Sequence, residues 1–365
     1  MKIIKVKLAR SPYRIYIGKN ILSMAGRLIK EAKIGSDALI ISQASILRLH
    51  GKKIKQALQK TCSSVQTLTV PDSEESKSAR FAFDLIEKIM RSDKKKRLFL
   101  VAFGGGVVGD LAGFIAAIYK RGIPYIQIPT TLLAQIDSAI GGKTAVDMAY
   151  GKNLVGAFYQ PKFVLADVAL LKTLPRKELL SGLSEAVKYA VIKDVRLFSF
   201  LEKNNQKILK KDAAALSYLI ARCAAIKAGV VASDEFDKKG IRIILNFGHT
   251  IGHAIEAASQ FRVSHGEAVS IGMICACDLS CRLGILKEKE ALRIVDLIRG
   301  IGPSACTKGI KVHAVLKTID YDKKFTKGVN RFVLIEKIGR TKIVENIPLD
   351  LIRKVIAAQI TSSSR

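Results

Sequence analysis

Leu98-Phe99-Leu100-Val101-Ala102-Phe103-Gly104-Gly105-Gly106-Val107-Val108-Gly109-Asp110 is the stretch that decides the fold. Its first six residues are apolar and uncharged, the pattern of a strand covered on both faces, and the glycines break that run where a helix can open. Gly104, Gly106 and Gly109 match G-x-G-x-x-G in a strand-to-helix setting, where backbone N–H groups can approach a pyrophosphate at a helix N-terminus. A turn made for packing alone satisfies the same glycines. The acid that should hold a ribose about 20 residues later is absent, because the chain there reads Pro129-Thr130-Thr131. This is not the ordinary first βαβ unit of a nucleotide-binding sheet.

Outward from this stretch, strand-like runs recur at 14–17, 38–42, 65–70, 125–128 and 163–166, and residues 1–18 alternate basic with apolar side chains like a further strand. Amphipathic segments at 21–32 and 79–91 lie between them. That grammar predicts a Rossmann-like α/β domain with a mostly parallel sheet over residues 1–175. After Thr173-Leu174-Pro175 the apolar spacing changes to three and four, which predicts long helices at 178–192, 195–204, 213–233, 249–259, 265–283, 287–298 and 312–321. Residues 331–336 and 341–344, joined by Ile338-Gly339-Arg340, read as a hairpin. The expected second domain, 176–365, is therefore helical, and it holds the close-set histidines His249, His253 and His265.

The chain has 365 residues, and 61 Lys and Arg against 31 Asp and Glu give a formal net charge of +30. With 49% hydrophobic residues it is globular despite that charge, and the charge predicts an anionic partner: nucleic acid, a membrane surface or a small acid. No run approaches the roughly 20 uncharged apolar residues of a membrane span, the longest candidate, 101–118, being rich in glycine and broken by Asp110. The N-terminus lacks the apolar block of a signal peptide, so a cytoplasmic location is expected. Six cysteines, at 62, 223, 275, 277, 281 and 306, show no framework spacing and are expected as thiols. Cys275 and Cys277 would point about 200° apart on a helix, which argues for core packing over metal binding.

Three of the five histidines lie close together, in Asn246-Phe247-Gly248-His249-Thr250-Ile251-Gly252-His253 and His265-Gly266-Glu267. His249 and His253 share a helix face at a spacing that suits zinc, and His265 can return to the same place. A catalytic zinc site of this kind needs an acidic ligand from elsewhere; Glu185, in Gly182-Leu183-Ser184-Glu185-Ala186-Val187-Lys188, is the best candidate. Lysines stand in two glycine turns, Gly141-Gly142-Lys143-Thr144 and Tyr150-Gly151-Lys152-Asn153. The first fails as a P-loop because Asp137 occupies the position of the leading glycine. The remaining basic residues come in short pieces without interleaved aromatics, the pattern of a solvated surface.

Taken together, these motifs resemble the 3-dehydroquinate synthase family of sugar-phosphate cyclases. Further shared segments are Pro71-Asp72-Ser73-Glu74-Glu75-Ser76-Lys77, Tyr119-Lys120-Arg121-Gly122 and Asp322-Lys323-Lys324. The resemblance implies an NAD- and divalent-metal-dependent carbon–oxygen lyase of the shikimate pathway. It would convert 3-deoxy-D-arabino-heptulosonate 7-phosphate to 3-dehydroquinate and phosphate by transient oxidation, phosphate elimination, re-reduction and aldol closure. It assigns a zinc or cobalt ion to Glu185, His249 and His265, and makes His253 a substrate-contacting proton-transfer group instead of a ligand. NAD contacts are carried to Asp72, Ser73, Glu74, Glu75, Ser76, Lys77, Gly106, Val107, Val108, Gly109, Asp110, Thr130, Thr131, Asp137, Lys143, Lys152, Leu170, Leu171, Lys172 and Thr173. Glu74 would supply the missing ribose acid. Catalytic positions are carried to Lys143, Asn153, Lys188, Arg242, Asn246 and His253, and further substrate contacts to Arg121, Lys152, Lys227 and Lys324.

The implied partner is a small anionic sugar phosphate, with no nucleic acid or membrane, and the implied assembly is a homodimer. Within the same superfamily a 2-deoxy-scyllo-inosose synthase is the nearest alternative, but its substrate has no carboxylate, and the basic set Lys227, Arg242 and Lys324 favours one that does. A basic nucleic-acid-binding protein is the remote alternative. Ser73 stands where many members have glycine and Asp147 where asparagine is common; Ser264 carries no signal by itself.

Overall fold

Residues 1–93, 97–301, 309–321 and 329–362 are described by the structure, a computed structural model. Cys306, the Asp322-Lys323-Lys324 motif and with it the expected substrate contact Lys324 lie outside them. The chain forms two compact units, one of Met1–Glu178 with Lys211–Phe236 and the other of Leu179–Lys210 with Asp237–Arg365.

The alternation of β-branched runs with amphipathic segments produces the first unit. In chain order its elements are β1 (Lys2–Val6), β2 (Tyr13–Gly18), α1 (Ala25–Glu31), β3 (Asp37–Gln43), α2 (Ala44–Gln59), β4 (Ser64–Val70), α3 (Ala79–Ser92), β5 (Leu98–Gly104) and α4 (Gly106–Ile118). There follow β6 (Tyr125–Pro129), β7 (Lys143–Met148), β8 (Gly151–Phe158) and β9 (Phe163–Asp167). Seven strands form one sheet in the order β1-β2-β9-β6-β5-β3-β4. The β1–β2 pair is antiparallel and every other neighbouring pair is parallel.

The period of two in β5 explains its central place. Phe99, Val101 and Phe103 pack on one side with Leu28 of α1 and Ile54 and Leu58 of α2. Leu100 and Ala102 pack on the other with Leu85 and Ile89 of α3 and Leu111 and Ile115 of α4. Each fully buried large aliphatic or Phe side chain contributes about 1.5–3 kcal/mol relative to exposure. β4 lies on one side of β3 and β5 on the other, so the chain reverses its direction of winding there, the kind of point beside whose carboxyl strand ends open parallel sheets bind ligands.

Two expectations change. The expected single boundary at 175/176 does not describe this division, because α5 (Arg176–Lys193) and α6 (Val195–Leu209) are followed by α7 (Ala213–Ser233), which returns to the first unit and packs on β1 and β2. Among the described residues α7 is the one helix long and apolar enough to cross a membrane, but it carries Arg222 and Lys227 and much of it is buried against the sheet. Lys143 and Lys152, expected in the glycine turns 137–144 and 150–153, instead lie in strands that pair as the β7–β8 hairpin. Alternating polar residues and two glycines hid those strands from a hydrophobic pattern.

The second unit continues with α8 (His249–Ala258), α9 (His265–Arg282), α10 (Glu288–Ile301), α11 (Val312–Tyr321), the hairpin β10 (Arg331–Lys337) and β11 (Arg340–Glu345), and α12 (Leu349–Ser362). Its helices meet through residues without bulk. A Cβ placed on Gly272 of α9 would lie 1.9 Å from the carbonyl oxygen of Gly248, and one on Gly266 would lie 2.4 Å from the Cα of Ser181 in α5. Ser270 of α9 donates to Ser184 of α5 at 2.9 Å. Gly248 itself has φ +78 and turns the chain into α8. Ser264, silent in the sequence, starts α9 through a reciprocal capping box in which its N–H donates to Glu267 at 2.9 Å.

Gly272→Ala is expected to destabilise the protein by about 1–3 kcal/mol or more, because a backbone oxygen occupies the space of the new methyl group. Gly229→Ala in α7, where a Cβ meets nothing within 4 Å, is expected to stabilise by up to about 1 kcal/mol. Denaturant unfolding of the two variants checks the contrast; equal effects would show that the α8–α9 approach is not close.

Candidate metal centre and candidate nucleotide site

The second unit brings Glu185, His249 and His265 together, with one ligand atom from each within 4.8 Å of the others. Glu185 Oε1 lies 3.2 Å from Nε2 of His249 and 3.4 Å from Nε2 of His265. The geometry follows from the packing just described: α5 carries the carboxylate, the turn at Gly248 places His249 in the first turn of α8, and the cap at Ser264 makes His265 the first residue of α9.

Glu185 is fully buried, which disfavours its charge, yet the Lys188 ammonium one turn on pairs with its other oxygen and the two histidines add to the attraction. These neighbours hold the carboxyl well below its ordinary range, so it is an anion ready to bind a cation. His249 is pushed down by burial and by Lys188, and stays neutral with a lone pair to donate. Burial also opposes the charge on His265, but Glu185 and Glu256 outweigh it and raise that imidazole to about 10. Two imidazoles and a carboxylate are a donor set that could hold a zinc or cobalt ion, and binding there would displace the proton of His265.

His253 also stands on α8, with its ring 5.1 Å from that of His249. It is exposed, and its ligand atom groups with Glu256 and His265 but not with Glu185. The i, i+4 spacing put His249 and His253 on one face, where each falls in a different one of the two possible ligand groups. Glu256 was missed in the sequence. It stands three residues after His253 and seven after His249, and that two-turn spacing was its available signal. Of the remaining candidates in this unit, Lys188 and Arg242 are buried and Asn246 ends a short 3-10 turn before α8.

In the first unit the candidate nucleotide residues follow the carboxyl ends of the parallel strands. Asp72, Ser73, Glu74, Glu75, Ser76 and Lys77 come after β4; Gly106, Val107, Val108, Gly109 and Asp110 after β5; Thr130 and Thr131 after β6; Leu170, Leu171, Lys172 and Thr173 after β9. That is where an open parallel sheet binds ligands. The glycine turn is partly a packing device: a Cβ on Gly104 would lie 2.6 Å from Val108, and one on Gly109 2.9 Å from Gln127. Gly105 sits at the N-cap of α4, whose first N–H groups are free of helical partners by construction.

Lys77, almost fully buried, donates to Asp110 at 2.6 Å and to Asn153 at 2.5 Å, tying the turns after β4 and β5 to the β7–β8 hairpin. Burial raises the Asp110 carboxyl to about 6 even though Lys77 opposes the rise. Lys152 lies 3.3 Å from Glu74, and Lys227 of α7 lies 2.5 Å from Asp137. Asn153 has φ +58 and its N–H donates to Asp147 at 2.9 Å, which gives that position a visible function in the turn. Arg121 also has positive φ, in the turn before Gly122, and Lys143 opens β7 with its ammonium 6.0 Å from the Phe158 ring.

A sequence profile described as 3-dehydroquinate synthase N-terminal matches residues 67–181, and one described as 3-dehydroquinate synthase C-terminal matches residues 182–325. The 3-dehydroquinate synthase of Pelotomaculum thermopropionicum is 42% identical over 360 residues, 98% of this chain and 97% of that protein. Among solved structures, a 2-deoxy-scyllo-inosose synthase complexed with carbaglucose-6-phosphate, NAD+ and Co2+ matches with a TM-score of 0.89 at 28% identity, over 97% of this chain and 99% of that one. The 2-epi-5-epi-valiolone synthase from Streptomyces hygroscopicus subsp. jinggangensis, with NAD+ and Zn2+ bound, matches with a TM-score of 0.85 at 25% identity over 98% of each chain. With both halves of the profile matched in order and a curated relative similar from end to end, the chain belongs to the 3-dehydroquinate synthase family.

Proposed function

We propose that the chain is a 3-dehydroquinate synthase that converts 3-deoxy-D-arabino-heptulosonate 7-phosphate to 3-dehydroquinate and phosphate. The observation that carries this reading is the Glu185, His249 and His265 cluster, formed inside a chain 42% identical throughout to a 3-dehydroquinate synthase. Higher identity to that enzyme than the 28% found with 2-deoxy-scyllo-inosose synthase favours the heptulosonate substrate over a hexose phosphate.

NAD, when bound, supplies a reversible hydride acceptor, and a zinc or cobalt ion supplies Lewis acidity toward the substrate hydroxyl groups. Glu185, His249 and His265 are the proposed ligands of the ion. The residues after β4, β5, β6 and β9, together with Asp137, Lys143 and Lys152, are the proposed cofactor contacts, with Glu74 on the adenosine ribose. With such an acceptor bound, oxidation at C5 would acidify the neighbouring C6 proton and so make phosphate a leaving group in an elimination, with no net change in the cofactor. The chain's own work is then to hold a phosphate and a carboxylate still. Arg121, Lys152, Lys188, Lys227, Arg242 and Lys324 supply charge-assisted hydrogen bonds for this, and Asn153 and Asn246 orient hydroxyl groups. His253, exposed beside the metal set, moves a proton to or from the substrate.

This reading extends to a cytoplasmic homodimer with no nucleic-acid or membrane partner. Among the described residues Cys62, Cys223, Cys275, Cys277 and Cys281 form no disulfide, which is compatible with a reducing compartment, and the family resemblance supports the dimer.

Protein loaded with NAD and zinc and offered the heptulosonate phosphate is expected to release phosphate with no net NADH. Release from glucose 6-phosphate instead would favour the inosose synthase reading, and accumulation of NADH would favour a dehydrogenase. His265→Ala is expected to lose both metal and turnover, whereas His253→Ala keeps its metal and loses turnover by about 10²–10⁴-fold. Equal loss of zinc from both variants would contradict the division of roles.

A further inference from the structure

The metal reading leaves one contact unused. Nδ1 of His265 lies 3.2 Å from Oε2 of Glu256, on the side of the ring opposite the Nε2 that faces Glu185. Glu256 belongs to α8 and His265 opens α9, so this contact bridges the loop between the two helices. The other imidazole of the set is held in the same manner by a different group: Nδ1 of His249 lies 3.1 Å from the carbonyl oxygen of Phe247. A carbonyl oxygen or a carboxylate can only accept, so in each ring Nδ1 carries a hydrogen, and Nε2 is the nitrogen left to coordinate an ion, in His265 once it gives up its own proton. Both Nε2 atoms then point to the same Glu185 oxygen.

We propose that Glu256 is a positioning residue for the metal centre: it accepts the Nδ1–H of His265, fixes that tautomer and ring orientation, and adds negative charge behind the ligand. The inference rests on the proposed metal reading and deepens it. His265 needs this help more than His249 does. The His265 side chain is 32% exposed against 10% for His249, so packing alone restrains it less, and its backbone offers no carbonyl in the place that Phe247 fills. A carboxylate on the far nitrogen also raises the basicity of the coordinating one. Glu256 groups with His253 and His265 as a second possible ligand set, which makes direct coordination by Glu256 the rival arrangement.

Zinc affinity by chelator competition and the visible spectrum of the cobalt-loaded protein, measured for wild type, Glu256→Ala and Glu256→Gln, separate these possibilities. Wild type is expected to bind one ion. Glu256→Ala is expected to bind zinc 10- to 100-fold more weakly, and Glu256→Gln, whose amide oxygen still accepts from Nδ1, to recover to within about threefold of wild type. The cobalt d–d bands are expected to be the same in all three, because the ligands themselves are unchanged. Thermal unfolding of the metal-free proteins is expected to be unaltered, which excludes a general loss of structure. Equal affinity of Glu256→Ala and wild type would overturn the positioning role, as would cobalt bands showing the same lost ligand in both variants. A wild type that binds no stoichiometric metal would instead overturn the metal reading, and this inference with it.

Discussion

A carboxylate with no exposure to water has to be compensated where it stands, and in the second unit the arrangement of three helices serves that requirement at Glu185. Lys188 neutralises one oxygen from the same helix, and His249 and His265 approach the other from α8 and α9. Such an approach is possible because Gly248, Gly266 and Gly272 remove side chains from the contact lines between the helices. Close packing and the charge cluster are thus one constraint: a bulkier interface would leave Glu185 with Lys188 alone, without its two histidine partners.

The first unit solves a different problem, that of placing polar turns at one edge of a hydrophobic sheet. The strands are apolar on both faces and end together, so residues with glycine, threonine and charge fall beyond their carboxyl ends. Lys77 then ties two of these turns, after β4 and β5, to the β7–β8 hairpin by contacts to Asp110 and Asn153. That buried ammonium fixes segments with little secondary structure of their own.

Strong periodicity made most of the architecture legible. The residues of β5 read as a central strand and form one, and α7 and α11 span the residues their spacing indicated. The β7–β8 hairpin was hidden because its residues are mostly polar or small, and α2 because its charged residues crowd the spacing. The return of α7 to the first unit was invisible for a different reason: helix periodicity shows that a face is buried but not which partner buries it. At the site, histidine spacing marked the place, while the choice among His249, His253 and His265 depended on the turn at Gly248 and the cap at Ser264. Glu256 escaped because a carboxylate that acts through a histidine has no signature beyond its helical register.

The formal charge of +30 is only partly used by this account. Lys77, Lys188, Lys227 and Arg242 are buried or nearly so, and belong to the candidate sites, whereas most other basic residues form a solvated surface that can steer an anionic substrate. The claim on which everything else stands is that a divalent ion is held by two imidazoles and a carboxylate. X-ray absorption at the zinc edge of the loaded protein tests it most directly. The account predicts nitrogen and oxygen neighbours at about 2.0–2.2 Å with imidazole back-scattering from two rings, while a sulfur shell at about 2.3 Å would contradict it.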